Sequence, residues 1–338
     1  MSSDEGCCCA DDVNNRNRFA FVMYKYGSEL MPDSLQRVRD TDTIIFECNI
    51  CDTINEARPS SLERDNPTCG ACGSSVRHRA IIHALTTELF GQSVGISQIR
   101  PRHFEISGYG LSCWNEYAQR LRRRLGFENT FFHRQPYLDI TDIRQQRTGT
   151  LDFLIASDVF EHVAPPVERA FENARRLLKK DGVFIITVPF THPGEAGIPL
   201  QEHYPNLFDY KVRRSEEGTY VLENTTRTGV KHVHRDLTFH NGPGSTLEMR
   251  VFSESSLTSL LRSAGFERIN IFSGTHLARG IYWQNKCSVP IAARVEACPP
   301  RPLRSPKSHG SRGMIRRKSM ILIDRVAAKL HRIRMGGH

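Results

Sequence analysis

Residues 151–190 read LDFLIASDVFEHVAPPVERAFENARRLLKKDGVFIITVPF and show the pattern of a strand, a helix and a second strand. The segment Phe153–Ala156 is apolar without alternation, as expected of a strand that is buried on both faces of a parallel sheet. Pro165–Pro166 suits a helix start, apolar residues then recur at helical spacing, and Gly182 suits the helix end. Val183–Val188 has the composition of another buried strand. The sequence therefore predicts a βαβ unit here and an α/β fold.

Polar side chains follow the first of these strands. Ser157 and Asp158 end it, and Glu161 and His162 come shortly after. Ligands of open α/β sheets lie beyond the carboxyl ends of the strands. We therefore expect these four side chains to face a ligand.

The segment SDVFEHV at 157–163, followed by RRLLKKDGVFIITVPF at 175–190, resembles two motifs of class I S-adenosylmethionine-dependent methyltransferases, named post-II and III. The similarity is greatest to the small-molecule branch of that family. The resemblance implies a Rossmann-like sheet with helices on both faces, S-adenosylmethionine as cofactor, and cofactor contacts from Ser157 and Asp158. The alternative is an unrelated doubly wound α/β domain with a chance Glu-His pair.

A further part of the resemblance lies at residues 103–110, HFEISGYG, which read as a strand that enters a glycine turn. The first motif of the family has an acid followed by three alternating glycines, which let the backbone approach the cofactor. Here Glu105 holds the acid position, Ser107 replaces a usual glycine, and Gly108 and Gly110 remain. The resemblance implies that these four residues bind the cofactor.

The remaining elements of a class I sheet can be placed by pattern. Asn129–Arg134 predicts the second strand and Tyr137–Thr141 the third. Ser253 suits the N-cap of a later helix, and Glu267–Phe272 the strand after it. Asp139 matches motif II, so the resemblance implies a contact with the adenine of the cofactor. The alternative for Asp139 is a turn or capping aspartate.

The region beyond Phe190 is where such enzymes insert substrate-recognition structure, and it is rich in histidine. Histidines titrate near neutral pH and can take a proton from a hydroxyl or amine as the methyl group moves. His162 follows a strand end, and His203 lies in a short polar and aromatic cluster. We predict that one of these two is the catalytic base; the alternative for each is a surface or packing role.

Four cysteines form two C-x-x-C pairs, Cys48/Cys51 and Cys69/Cys72, which are seventeen residues apart. This spacing is typical of a Cys₄ zinc site, and four thiolates make such a site structural rather than catalytic. The alternative is four reduced cysteines without a metal. The segment Arg77–Arg79 opens a predicted helix, and the whole resembles the N-terminal zinc module of some bacterial methyltransferases.

At 338 residues the chain can hold one large α/β domain and a small module. It contains no apolar run long enough to cross a membrane, and its N-terminus lacks the basic and apolar pattern of a signal peptide. A cytoplasmic protein is therefore expected. Residues 1–40, which include Cys7–Cys9, predict a poorly ordered leader.

The net charge of +9 is carried by the C-terminal part. Of 46 basic and 37 acidic residues, eleven basic and one acidic follow residue 297, so the preceding part is almost neutral. The sequence therefore makes no strong case for a nucleic-acid partner. Within 314–334, apolar residues fall on one helical stripe among basic ones, which predicts peripheral contact with an anionic membrane. The alternative is a solvated tail.

The predicted organisation is a leader at 1–40, a zinc-ribbon-like module at 41–80, a class I methyltransferase domain at 81–297, and a basic linker and tail at 298–338. The resemblance implies methyl transfer by in-line attack of a small-molecule or glycan-type acceptor. Three alternatives stay open: a nucleic-acid methyltransferase, a sugar C-methyltransferase, and a non-catalytic scaffold or binding protein that keeps the fold.

Overall fold

The computed structural model describes residues 39–191, 200–215, 218–240, 242–284, 286, 288–296, 299, 301 and 303. The predicted leader, apart from its last residues, and the predicted helix at 314–334 lie outside these ranges. The chain divides into two compact units, Met1–Pro302 and Leu303–His338, and all elements below belong to the first. Within the described residues, no helix combines the length and apolar character that crossing a bilayer demands.

In chain order, the described residues form the following strands and helices: β1 (Ile44–Glu47), β2 (Ile54–Ala57), α1 (Val76–Phe90), β3 (His103–Leu111), α2 (Asn115–Arg122), β4 (Leu125–Thr130), β5 (Leu151–Ser157), α3 (Glu168–Leu177), β6 (Leu178–Thr187), β7 (Phe190–Thr191), β8 (Gln201–Glu202), β9 (Asp209–Arg214), β10 (Tyr220–Thr225), β11 (Lys231–His234), β12 (Phe239–His240), β13 (Thr246–Leu247), β14 (Arg250–Ser253), α4 (Glu254–Ser263), β15 (Arg268–Ile271) and β16 (Ile291–Arg294).

A six-stranded sheet with the order β15-β16-β6-β5-β3-β4 forms the centre of the protein. The four strands from β6 to β4 are parallel, whereas β16 runs antiparallel to both of its neighbours. The predicted βαβ unit is β5-α3-β6, with β5 and β6 adjacent in the sheet. The predicted α/β fold is therefore confirmed.

The apolar runs of the central strands are buried as their composition predicts. Phe153, Leu154 and Ile155 in β5 are fully buried, and so are Phe184 and Ile185 in β6. Removing each such side chain from water contributes about 1.5–3 kcal/mol to folding. Because these strands are packed in the core, their carboxyl ends are held in fixed positions. A ligand-binding site at those ends would therefore be rigid.

Two predicted boundaries are wrong around the βαβ helix and the second strand. Gly182 does not end α3, because β6 begins at Leu178 directly after the helix and includes Gly182. A Cβ atom at Gly182 would lie 2.9 Å from the carbonyl oxygen of Leu151, so the close approach of two strands requires glycine there. The second strand is Leu125–Thr130 rather than Asn129–Arg134, because burial alternates from Leu125 onward.

The predicted third strand is not formed. Residues 137–141 contribute only two isolated bridges, Phe131 with Tyr137 and Asp139 with Asp142, which leaves β4 at the edge of the central sheet. Ser253 caps α4 as predicted, because its Oγ accepts a hydrogen bond from the backbone N–H of Ser256 at 3.1 Å.

Residues between β6 and α4 form small sheets, and this region is called the insertion below. The sheets have the orders β11-β10-β9, β12-β13 and β7-β14-β8, and their pairs are antiparallel except for the parallel pair of β7 and β14. The insertion has its own apolar core of Tyr204, Leu207, Leu222, Leu247 and Met249. It is therefore a packed structure of its own, in the position where the sequence predicts acceptor recognition.

The N-terminal module consists of the β1-β2 hairpin and the loop that leads into α1. Cys48 and Cys51 lie in the hairpin turn, and Cys69 and Cys72 lie before α1. The predicted boundary between residues 80 and 81 falls inside α1. One helix therefore belongs to both the module and the α/β domain.

Candidate active site

The carboxyl ends of β5 and β6 hold a buried carboxylate. Asp158 follows β5 with a φ of 53°, a conformation that non-glycine residues rarely adopt. Its backbone N–H donates to Thr187 O at 2.8 Å, and the Thr187 hydroxyl donates to Asp158 Oδ1 at 3.1 Å. The same hydroxyl lies 3.0 Å from Ser157 Oγ. The predicted site residues Ser157 and Asp158 are thus side by side at the edge where a ligand is expected.

Two arginines from the N-terminal side reach this carboxylate. Arg64 Nη2 lies 2.6 Å from both carboxylate oxygens of Asp158. Arg77 Nη1 donates to Ser157 Oγ at 2.7 Å and lies 3.1 Å from Asp158 Oδ2. The Asp158 side chain is only 6% exposed, so these contacts are desolvated. Charge-assisted hydrogen bonds of this kind are stronger than neutral ones, and they hold both guanidinium groups at the sheet edge.

Asp65 joins the two arginines from the solvent side. It forms ion pairs with Arg64 and with Arg77 Nε, the latter at 2.6 Å. Burial lowers the pKa of Arg64, but the carboxylates of Asp158 and Asp65 outweigh that effect and raise it. The backbone N–H of Arg77 also donates to Arg64 O at 3.0 Å. The two arginines and two aspartates therefore form one ionic cluster, called the arginine cluster below.

Two aromatic rings lie beside the arginine cluster. One belongs to His78 in α1, and the other belongs to Trp114, which follows β3. The rings of His78 and Trp114 stack with centroids 4.2 Å apart. Burial, followed by the charge of Arg77, lowers the pKa of His78 to about 3, so its imidazole is neutral. Its Nδ1 accepts a hydrogen bond from the backbone N–H of Ser75 at 3.3 Å. The start of α1 and the start of α2 thus meet at the carboxyl end of the sheet.

His162 lies on the insertion side of the same edge. Its Nδ1 is 2.9 Å from Leu247 O, so the neutral ring carries its proton on Nδ1 and has a lone pair on Nε2. Burial lowers its pKa, which keeps the imidazole neutral near neutral pH. Its Nε2 lies 3.9 Å from Glu161 Oε1. This tautomer presents a basic nitrogen.

Glu161 is the most deeply buried acid at this edge. It is 1% exposed, and neither of its carboxyl oxygens has a hydrogen-bond partner within the described ranges. Burial, followed by the nearby Asp158, raises its pKa well above the usual range. A protonated carboxyl beside His162 leaves the histidine without a strong negative neighbour on that side.

His203 is connected to Glu161 through two backbone hydrogen bonds of Met249. The backbone N–H of His203 donates to Met249 O at 2.8 Å, and Met249 N–H donates to Glu161 O at 2.7 Å. His203 Nε2 is buried and has no partner among the residues described. Both predicted histidines therefore contact the segment 247–249.

Glu105 and Ser107 lie outside this candidate site. Glu105 has an exposed side chain that pairs with His103 at 2.7 Å. The Ser107 backbone N–H donates to Asp152 Oδ2 at 2.8 Å and its hydroxyl to Thr150 O at 2.8 Å, both near the start of β5. Strands rise about 3.3 Å per residue, so Glu105 is about 20 Å along β3 from its carboxyl end.

Gly108 and Gly110 lie inside β3 rather than in a turn after it. They pair with Phe153 and Ile155 of β5. A Cβ atom at Gly108 would lie within the ring of Phe153, and one at Gly110 would be 2.6 Å from Cys113 Sγ. The absent side chains make room for core groups. A contact of Gly108 and Gly110 with the cofactor stays a prediction.

Asp139 has the geometry of its alternative, a turn residue. Its Oδ1 accepts hydrogen bonds from the backbone N–H and the hydroxyl of Thr141 at 2.8 and 2.7 Å. Burial, followed by the charge of Asp139, raises the pKa of Tyr210 in β9. Asp139 therefore lies near the insertion, and a cofactor contact from it stays a prediction.

Arg64, Asp65 and Trp114 are residues of the site that the sequence patterns do not reveal. Arg64 and Asp65 lie between the cysteine pairs, where no periodicity places them on a face. The spacing of Trp114 suits the apolar face of a helix, whereas the structure places it at the N-cap of α2. One local feature could have indicated Arg64 and Asp65. They are adjacent charged residues in the loop between two cysteine pairs, and such side chains can form ion pairs with the element against which the loop packs.

The four module cysteines form a compact cluster. Their Sγ atoms all lie within 4.8 Å of one another, with Cys48–Cys72 at 3.7 Å and Cys51–Cys69 at 3.5 Å. A tetrahedral ion with Zn–S bonds of about 2.3 Å separates its sulfur atoms by about 3.8 Å. The thiol arrangement therefore fits a zinc ion.

A buried arginine lies against the cysteine cluster. Arg79 is fully buried, and its guanidinium lies over the Phe46 ring at 4.6 Å. It donates to Ser74 O at 2.7 Å and to Gly280 O at 2.8 Å. Burial lowers the pKa of Arg79 to about 10, and the negative charge of the thiolates acts against that shift. The Arg79 guanidinium therefore lies close enough to the four cysteines to interact with their charge.

The chain is similar to known proteins in sequence and in fold. Residues 91–271 match a family model described as a methyltransferase domain. No curated protein matches the sequence. Solved structures with similarity include an S-adenosylmethionine-dependent methyltransferase from Clostridium acetobutylicum, with 13% identity over 57% of this chain and 85% of that chain and a TM-score of 0.32.

Two other similar structures are named for their reactions. One is 1,6-didemethyltoxoflavin-N1-methyltransferase from Burkholderia thailandensis, with 13% identity over 59% of this chain and 78% of that chain and a TM-score of 0.33. The other is a sugar N-methyltransferase from Streptoalloteichus, with 14% identity over 60% of this chain and 84% of that chain and a TM-score of 0.33. The family match runs from before β3 to the end of β15 and so includes the carboxyl edge of the sheet.

Proposed function

Because the chain belongs to the methyltransferase-domain family, whose model matches more than half of it, we propose that it transfers a methyl group from S-adenosylmethionine to a small-molecule or glycan-type acceptor. The chain is a methyltransferase enzyme. The proposal concerns the acceptor class, the base and the residues that hold the cofactor. Its main support in the structure is His162, a neutral imidazole with its tautomer fixed at the carboxyl edge of the sheet.

When bound, S-adenosylmethionine supplies a methyl group on a sulfonium, which is already electrophilic. The tasks of the chain are then to orient the acceptor, exclude water and remove one proton. His162 would take that proton at Nε2, since Nδ1 is held by Leu247 O. His203 is the second candidate, because its buried Nε2 is unpartnered in the described part of the chain.

The cysteine cluster is proposed to hold one structural zinc ion. Cys48, Cys51, Cys69 and Cys72 would be its ligands as thiolates, which leaves no open coordination position for catalysis. Arg79 would lie close enough to offset part of the net negative charge. The ion would fix the loop that carries Arg64 and the start of α1, which carries Arg77.

A cytoplasmic location and peripheral contact of residues 314–334 with anionic lipid stay proposals from the sequence. The apolar stripe with surrounding basic residues supports the membrane contact. A lipid-linked acceptor would give such contact a purpose. The alternative function is a scaffold or binding protein, for which the departure from the glycine motif at Ser107 is the supporting observation.

The proposed base is tested with the variants His162→Ala and His203→Ala. Transfer of labelled methyl from S-adenosylmethionine to a panel of sugars, amines and phenols first identifies an acceptor. We then expect one of the two variants to lose about 10²–10⁴-fold in turnover, because general base catalysis contributes that factor. Binding of S-adenosylhomocysteine should stay unchanged in the same variant.

His232→Ala is the matched control, because His232 is an exposed histidine in β11 of the same insertion. It should retain the turnover of the unchanged protein. Full turnover in both the His162 and the His203 variants would remove the histidine from the proposed mechanism, while the methyltransferase assignment would stand.

A further inference from the structure

The two arginines of the arginine cluster (Arg64, Asp65, Arg77 and Asp158) are more exposed to solvent than Asp158. The side chains of Arg64 and Arg77 are 20% and 17% exposed, whereas that of Asp158 is 6% exposed. The positive charge of Arg77 also lowers the pKa of Cys113 and of Tyr117, although burial raises both overall. Arg77 is therefore close both to the end of β3 and to the end of β5.

The two guanidinium groups have donors that the cluster does not use. Arg77 donates through Nε to Asp65 and through Nη1 to Ser157, so its Nη2 has no partner within the described ranges. Arg64 Nε is buried and also lacks a partner there. A buried donor without a partner is unfavourable, because it has lost its hydrogen bonds to water. The unused donors and the open surface together indicate a ligand that accepts hydrogen bonds.

A carboxylate is the group that fits these donors. The unused donors belong to two different guanidinium groups, Nη2 of Arg77 and Nε of Arg64, and a carboxylate has two oxygens that can each accept a charge-assisted hydrogen bond. The cofactor of the proposed reaction has one carboxylate, at the end of its methionyl chain. Its adenosine part has none. The cluster lies where the ends of β3 and β5 meet, the edge at which open α/β sheets bind ligands.

We propose that Arg77, together with Arg64, binds the methionyl carboxylate of the cofactor, so that the cysteine module forms part of the cofactor site. The inference rests on the proposed function. Asp158 then acts through the arginines: it contacts both guanidinium groups and sets their position at the strand ends. The predicted cofactor contacts of Ser157 and Asp158 become positioning contacts.

The experiment compares two ligands that differ by the amino-acid end. S-Adenosylhomocysteine has the carboxylate, and 5′-methylthioadenosine keeps the adenosine and thioether but lacks it. Calorimetry on the full chain should show that the unchanged protein binds S-adenosylhomocysteine at least about tenfold more tightly, as a charge-assisted hydrogen bond implies. In Arg77→Gln and Arg64→Gln this preference should fall toward one, while the affinity for 5′-methylthioadenosine stays within about twofold.

Two further variants separate recognition from folding. Arg77→Lys keeps the charge but loses the fork, and we expect it to keep part of the preference. Arg213→Gln is the matched control, because Arg213 pairs with Glu223 on an exposed strand of the insertion, and it should change neither affinity.

Several results would overturn the inference. Equal losses for both ligands in the Arg77 and Arg64 variants would mean that these arginines only dock the module, and unchanged affinities for both would mean that they serve another group, such as an acceptor carboxylate. The same conclusion would follow if the unchanged protein bound both ligands equally. Failure of the unchanged protein to bind either ligand is a distinct outcome, because it would contradict the proposed function itself.

Discussion

Replacing Cys51 and Cys72 together by serine is expected to remove the metal and to unfold the segment between β1 and α1. In the proposed metal site, ligand bonds would join the hairpin turn to the loop before α1, whereas Ile44, Phe46 and Leu62 pack into the main core. Structural zinc contributes on the order of 10 kcal/mol in small zinc domains, and removal of two of four thiolates eliminates the tetrahedral set. Cys51 and Cys72 come from different pairs, which disconnects the hairpin from the start of α1.

The effect should extend beyond the module because of Arg79. This buried guanidinium lies beside the four thiols and also holds Gly280 O at 2.8 Å. Without the thiolates it would be a buried charge with only neutral partners, which is strongly unfavourable. We therefore expect a lower melting temperature for the whole domain, and weaker binding of S-adenosylhomocysteine through the displaced Arg64 and Arg77.

Metal analysis of the purified protein and its thermal unfolding check this prediction. The unchanged chain should contain one zinc per molecule, and the double variant should contain none. Cys113→Ser is the matched control, because Cys113 is a buried thiol outside the cluster and should leave the zinc content unchanged. Stoichiometric zinc in the double variant would rule out the assigned ligands.

Gly108→Val is expected to destabilise the central sheet rather than to block a ligand. Gly108 lies opposite Phe153 in the β3-β5 pair, and a Cβ atom there would overlap the ring. Phe153 is fully buried and stacks on Phe127 with centroids 5.8 Å apart, so its ring cannot move away. Overpacking of this kind costs about 1–3 kcal/mol or more. Denaturant unfolding measures the loss, and Gly274→Val is the control, because nothing lies near Gly274.

Combining Gly108→Ala with Phe153→Leu distinguishes a packing role of Gly108 from a cofactor-binding role. Gly108→Ala should cost less stability when Phe153→Leu is also present, since the smaller side chain leaves space for the added methyl group. The double variant should still bind S-adenosylhomocysteine. Additive losses of stability, or cofactor binding lost in a folded double variant, would instead return Gly108 to the cofactor site.

The features predicted correctly from the sequence depend on local patterns. The apolar run of β5 and the spacing of α3 are short-range signals, and both follow from burial of one segment against its neighbours. The cysteine pairs are equally local, and their thiols do come together. The turn role of Asp139 was available as an alternative because aspartate caps turns with its own side chain.

The wrong predictions concern segments whose sequence fits two local structures equally well. Contacts with distant parts of the chain decide which of the two structures forms. A strand that enters a glycine turn and a strand with glycines inside it have the same letters, and only the ring of Phe153, more than 40 residues away, separates them. The second strand is predicted at Asn129–Arg134 but is formed by Leu125–Thr130. Arg64 meets Asp158 across 94 residues of sequence, and no periodicity in either segment records that contact.

The central claim, a methyltransferase that uses S-adenosylmethionine, is tested most directly by titrating the full chain with this cofactor and its demethylated product in a calorimeter. Binding of one molecule per chain is predicted, together with stabilisation of about 2.7 kcal/mol when the ligand is present at 100 times its Kd. Absence of heat and of thermal stabilisation at saturating concentrations of both ligands would contradict the claim and favour a scaffold that has kept the fold.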